Sequence, residues 1–274
     1  MTASAVGPNQ VARWEAPTGA AWLGRDVWTE ALRHLRIIPR SPDLIIFATI
    51  QPVMFVLLFV YVFGGSIAIP GFDDYEQYLL PGIFAQTVVF GSSFTGGGIA
   101  DDMQKGLMER LRSLPMSQAA VLIGRTVADL IRNTFTFVVM LLVGFLVGFR
   151  FEGSLLGALA ATVLLLGFSY AFSWIQALIG LSVSSVEAVQ SAGFMWMFPM
   201  TFVSSAFVDP STFPGPLRTF AEVNPFTVAT NATRALYNGT SPGRDLWLAI
   251  LWAVGITVVF AFLSIRKFMR SNRG

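Results

Sequence analysis

The chain has 274 residues, of which 54% are hydrophobic and only 12% charged, about half the charge of an ordinary soluble domain, so much of its surface faces lipid. A net charge of +2 with a pI near 9.2 does not signal nucleic-acid binding, because the basic residues are scattered between apolar runs rather than gathered on one soluble face. With no Cys at all, a disulfide framework, thiolate catalysis and a Cys-ligated metal are excluded.

In chain order, residues 1–20 read as a flexible cytoplasmic N-terminus; the first 40 residues hold no apolar stretch of signal-peptide type, so this end is expected to stay in the mature chain. Residues 21–40 read as an interfacial amphipathic helix. Between 22 and 38, Trp22, Leu23, Val27, Ala31, Leu32, Leu35 and Ile38 recur every three to four residues, while Arg25, Asp26, Glu30, Arg33 and Arg36 take the other face. A short soluble helix packed on a partner would look similar, but the direct run through Pro39 and Pro42 into an apolar segment favours the membrane surface. His34, the single His, reads as a surface residue of this helix.

Residues 41–274 read as a six-span transmembrane domain, so the predicted fold is an all-α integral membrane protein. The apolar runs are 44–63, 78–100, 127–149, 155–183, 189–208 and 246–265, each near the ~20 residues needed to cross a bilayer core. The second is diluted by Gly91, Ser92, Ser93 and Gly96, Gly97 and Gly98, small residues of the kind that let membrane helices approach closely. Orientation follows from the cations. Arg13, Arg25, Arg33, Arg36, Arg40, Lys105, Arg110, Arg112, Arg125, Arg266, Lys267, Arg270 and Arg273 fall on one side, whereas the other holds only Arg150, Arg218, Arg234 and Arg244. The richer side is the cytoplasm, and both termini lie there. Residues 209–245, too long for a turn and punctuated by Pro210, Pro214, Pro216 and Pro225, read as an outer element whose short helices dip back into the membrane.

Catalytic patterns are missing: no paired mid-membrane carboxylates, no His–Glu metal spacing and no Gly-x-Ser-x-Gly. No Gly-x-x-x-x-Gly-Lys-Ser/Thr occurs either, so any ATP used is bound by another chain. Asp129 and Arg132, three residues apart, are expected to pair and snorkel to water at the inner end of the third run. Gln51, Asn133 and Gln176 are expected to bond between helices. A substrate path is sought at Phe84, Gln86, Phe90, Phe194, Met197 and Phe198, where aromatic and thioether side chains form an adaptable surface.

The segment 101–125 carries the specific signal. Within it Lys105-Gly-Leu-Met-Glu-Arg-Leu-Arg-Ser-Leu-Pro-Met-Ser117 makes a short amphipathic helix stopped by Pro115, with Leu107, Leu111 and Leu114 on one side and Lys105, Glu109, Arg110 and Arg112 on the other. It resembles the cytoplasmic segment of ABC type-2 exporter permeases. Asn224-Pro-Phe-Thr-Val-Ala-Thr-Asn-Ala-Thr-Arg-Ala-Leu236 resembles the element before the last span of the same family, and Tyr78-Leu-Leu-Pro-Gly82 and the run from Phe198 to Pro214 resemble its daunorubicin-resistance branch. The resemblance implies the transmembrane subunit of an efflux pump for a small amphiphilic compound. It also implies a second permease copy, and separate cytoplasmic ABC ATPase subunits that carry ATP and magnesium. Carried onto this chain, Lys105, Gly106, Leu107, Glu109, Arg110, Leu111, Leu114 and Pro115 would couple to the ATPase. Trp22, Val27, Leu32 and Leu35 would form the interface helix, and Asn224, Pro225 and Arg234 the outer element. The alternative is a membrane scaffold that docks a cytoplasmic partner without transport; an ion-coupled carrier is disfavoured because no mid-membrane carboxylate stands ready to bind a proton or Na⁺.

Overall fold

The computed structural model describes residues 20–36, 42–63, 75–112, 117–183 and 185–270. Among these residues every regular element is a helix: α1 (Ala20–Leu35), α2 (Pro42–Leu57) running into a π-turn (Leu58–Phe63), α3 (Tyr75–Gly91), α4 (Ser93–Gln104), α5 (Leu107–Arg112), α6 (Gln118–Val147), α7 (Leu155–Gly180), α8 (Val186–Phe202), a 3₁₀ turn (Pro210–Thr212), α9 (Gly215–Val223), α10 (Pro225–Tyr237) and α11 (Gly243–Arg270). Ile38, Pro39 and the residues 1–19 lie outside the described residues.

Three helices, α6, α7 and α11, are long and apolar enough to cross a membrane, and 49–62 forms a shorter apolar stretch. The second predicted run is two helices, α3 and α4, that meet at Ser92; the fifth ends as helix at Phe202, six residues before the apolar run does. Starts are set by local chemistry. Ser154, Ser185 and Asn224 each accept a hydrogen bond from a backbone N–H of the helix they open, at Gly157 (3.0 Å), Ala188 (3.1 Å) and Phe226 (2.9 Å), each cap contributing on the order of 1 kcal/mol.

α7 is the central post, packed against α3, α4, α6, α10 and α11, with Ala161, Phe168, Ala171 and Phe172 fully enclosed. Two cores result. The larger fills the bundle and ends in an aromatic knot where Phe84 meets Phe149 (5.5 Å), Phe149 meets Tyr237 (5.6 Å) and Phe151 stacks on Tyr237 (5.1 Å). The smaller joins Met108 and Leu111 of α5 to Ile99, Val121, Leu122, Trp174, Leu181 and Phe268. Where helices touch most closely, glycine makes room: a Cβ on Gly180 would come 2.5 Å from Gly96 O.

α1 lies against α6. A Cβ on Gly124 would stand 2.5 Å from Glu30 Cβ, and Asp26 accepts a hydrogen bond from the Ser117 N–H at 3.2 Å, holding the start of α6. The face with Glu30 and Ala31 is therefore buried, whereas Trp22, Leu23 and Trp28 are exposed. This corrects the sequence expectation, in which Glu30 belonged to the outward charged face.

Candidate functional site

A cavity of about 770 Å³ opens between α2, α3, α4, α6 and α8. Its lining combines Phe55, Phe90, Phe94 and Phe194, the amides of Gln51, Gln86, Asn133 and Gln190, and the ionic or titratable His34, Asp101, Asp102, Lys105, Arg125, Asp129 and Arg132. The aromatic and ionic parts of the lining meet at Phe94, which touches both Arg125 and Arg132.

The ionic part is a connected network. Arg125 stands at its centre: Nε bonds Asp129 Oδ2 (3.1 Å), Nη1 approaches Asp102 Oδ2 (3.4 Å) and His34 Nδ1 (3.2 Å), and Nη2 donates to Phe94 O (3.4 Å). One guanidinium therefore joins α1, α4 and α6. Asp129 also holds Arg132 (3.1 Å), whose guanidinium lies 4.4 Å from the Phe94 ring centroid. The predicted Asp129–Arg132 pair exists, but it does not snorkel; both side chains are largely enclosed, and each cation has a carboxylate to offset desolvation.

His34 is not a surface residue. Its Nε2 faces Arg33 Nη2 (3.1 Å) and its Nδ1 faces Arg125, because α1 turns this side to α6. Burial first, then the charges of Arg125 and Arg33, push its pKa down to about 3, so the ring is neutral at physiological pH. A neutral imidazole accepts at one nitrogen only, so one of these two contacts is a hydrogen bond at any moment.

The path residues separate into three groups. Gln86, Phe90 and Phe194 line the cavity, with Phe90 and Phe194 5.8 Å apart. Phe84 and Met197 do not: Phe84 is locked in the aromatic knot, and Met197 is fully buried with its sulfur 2.9 Å from Gln176 Nε2. Phe198 sits on an exposed flank of α8, edge-on to Phe90 at 5.3 Å.

In the coupling segment, Lys105 ends α4 and pairs with Asp101 at 2.6 Å; Gly106, at φ +65, turns the chain into α5. Leu107 is half-buried at the cavity edge and Arg110 is exposed. Leu111, expected on an outward docking stripe, is only 7% exposed and packs into the chain's own inner core, since α5 needs an apolar face to hold it to α4 and α6. Leu114, Pro115 and the side chain of Glu109 lie outside the described residues. On α1, Val27, Leu32 and Leu35 are half-buried and Trp22 is exposed beneath the Arg25 guanidinium.

The segment 224–237, expected as part of an outer element, is tightly tied to its neighbours. Asn224 caps α10, begun by Pro225, and donates to Met200 O (2.7 Å) and Val203 O (2.8 Å). Arg234 is buried. Nε donates to Tyr78 O (3.0 Å), Nη2 to Ser205 O (2.8 Å) and Nη1 to Asn231 Oδ1 (3.2 Å), with the Tyr78 ring 3.7 Å away.

Sequence reasoning missed Arg125 as a hub and gave the three consecutive glycines one common role, close helix approach, which fits Gly96 but does not distinguish the other two. Gly98 explains itself once Arg125 is placed, because a Cβ there would fall on the guanidinium.

The ABC-2 type transporter family model matches residues 25–238. The chain is 33% identical over 244 residues, 89% of its length and 86% of the relative's, to the daunorubicin resistance ABC transporter permease protein DrrB1 of Streptomyces coeruleorubidus. It is 26% identical over 217 residues, 79% and 78% of the two chains, to the probable doxorubicin resistance ABC transporter permease protein DrrC of Mycobacterium tuberculosis. It is 25% identical over 187 residues, 65% of this chain and 47% of the relative, to the probable multidrug ABC transporter permease YbhR of Escherichia coli.

Proposed function

We propose, from the premise that the chain belongs to the ABC-2 type transporter family, that it is the transmembrane subunit of an ABC exporter and that its cavity receives the exported compound. The observation that carries the cavity's role is a lining that joins aromatic rings to ionic side chains within about 770 Å³, a volume that suits a drug-sized ligand and a polarity that suits an amphiphile. The substrate class proposed is a small amphiphile of drug or antibiotic type, as the names of the relatives suggest.

The finer arrangement belongs to the same reading. Six spans would be formed by α2 with its π-turn, α3 with α4, α6, α7, α8 and α11; α9 and α10 would fold back at the outer side, and both termini would face the cytoplasm of a bacterial plasma membrane. Two copies would pair, and two ABC ATPase subunits would bind ATP and magnesium and dock on the inner face near α5. The scaffold reading has no use for an intramembrane cavity.

The test is co-expression with ABC ATPase subunits of the same cell, co-purification, and substrate-stimulated ATP hydrolysis in reconstituted vesicles. Copurification with stimulated hydrolysis and dye accumulation in inverted vesicles is the expected result. A stable complex that hydrolyses ATP yet moves no amphiphile would favour the scaffold.

A further inference from the structure

Gly96, Gly97 and Gly98 are consecutive on α4 yet meet three different surroundings. A Cβ on Gly96 would stand 2.7 Å from Gln176 O and 2.9 Å from Val189 Cγ1, and one on Gly98 would fall on the Arg125 guanidinium. Close approach of backbone or charge explains both. A Cβ on Gly97 would meet only Val186 Cγ1 at 3.7 Å and Gln190 Nε2 at 4.0 Å, ordinary contact distances, and Gly97, Val186 and Gln190 all line the cavity. Its φ is not in the left-handed region, so the backbone does not require glycine. Neither packing nor conformation accounts for the middle glycine.

We infer that Gly97 is a specificity-determining position, whose missing side chain keeps the α4–α8 side of the cavity wide enough for bulky, ring-bearing amphiphiles. The inference rests on the exporter reading of that cavity. A leucine there would extend between Val186 and Gln190 into the ligand space. Its four carbons, each about the size of a water, would remove roughly 100 Å³. Against a cavity of about 770 Å³, that loss bears on a large rigid ligand far more than on a compact one.

Two experiments test this on the permease–ATPase complex. In inverted vesicles, the export of Hoechst 33342, long and bulky, is compared with that of ethidium, more compact, for the parent protein, Gly97→Ala and Gly97→Leu. The ratio of the two should fall stepwise, by at least about tenfold for leucine, the lower end of what pocket-size changes produce. Insertion and ATPase-subunit binding should stay intact. In the second, Gly96→Cys and Gly97→Cys are placed singly in this Cys-free chain and exposed to methanethiosulfonate ethylammonium; Gly97→Cys, on the cavity wall, should react quickly and be protected by Hoechst 33342, and Gly96→Cys, packed against Gln176 and Val189, should not. An unchanged dye ratio in a well-inserted Gly97→Leu protein, or equal labelling at 96 and 97, overturns the inference. Failure of the parent complex to export either dye would instead overturn the exporter reading, and the labelling order would still decide where residue 97 faces.

Discussion

Two regions of this molecule bury arginine, and they do so by different physics. On α6, Arg125 and Arg132 share the carboxylate of Asp129 and border open space. On α10, no carboxylate ion-pairs with Arg234 among the described residues; two carbonyls, one amide and a tyrosine ring satisfy it inside a closed seam. Paired charges beside a cavity can exchange partners when a ligand or a helix moves. A guanidinium held by fixed backbone carbonyls has no alternative partner, so the α10 seam is built to stay still while the ionic network can rearrange.

The largest expected effect tests the ionic network. Asp129→Asn leaves Arg132 without a carboxylate and Arg125 with Asp102 alone, at 3.4 Å, and should lower stability in detergent by about 3–5 kcal/mol, read as a fall in the melting midpoint by fluorescence-detected size exclusion. A near-neutral result would mean that the network is hydrated. Arg234→Ala should follow at roughly 3 kcal/mol, because Tyr78 O and Ser205 O lose a charged donor. Arg234→Lys should restore little, lacking the planar fork. If Arg234→Ala melts normally but abolishes export, the α10 seam moves and the contrast collapses.

Leu111→Ala comes next. Because its side chain fills the chain's own inner core, it should cost about 2–3 kcal/mol of permease stability and weaken ATPase binding only secondarily; selective loss of docking with an unchanged melting midpoint would return Leu111 to an outward anchor. The smallest effect concerns pH. His34 has a folded pKa of about 3 against an ordinary 6.5, so the unfolded chain takes up the proton first. Its contribution is complete above pH 6.5 and declines as pH falls toward 3, by up to about 2 kcal/mol at pH 5. His34→Gln should flatten the melting curve's pH dependence between 7 and 5; an identical slope would show that His34 is solvated.

Helices α6, α7 and α11 were legible because long apolar runs leave few alternatives, and α10 because Asn224 and Pro225 announce a helix start. The charged face of α1 was misassigned for a physical reason. Periodicity shows that a helix has two faces, but the partner of Glu30 and His34 lies on α6, about 90 residues away, and no local pattern encodes that contact. Phe84 and Met197 failed as path residues for a related cause: core, cavity and lipid-facing positions of a membrane bundle draw on the same residue types, so burial separates what composition cannot. The glycines illustrate the reverse, three identical letters whose meanings diverge only when Gln176, Gln190 and Arg125 are in place.

The hydrogen bond from the Ser117 N–H to Asp26, 91 residues apart in the chain, has a bearing on biosynthesis. At a synthesis rate of about 5–20 residues per second, α1 leaves the ribosome roughly 5–18 s before its dock on α6 exists. During that interval the helix needs another resting place, and its outward Trp22, Leu23 and Trp28 are the kind of surface that a lipid headgroup layer accepts. An amphipathic surface that looks redundant in the finished protein is then the waiting position of an element whose permanent partner is translated later.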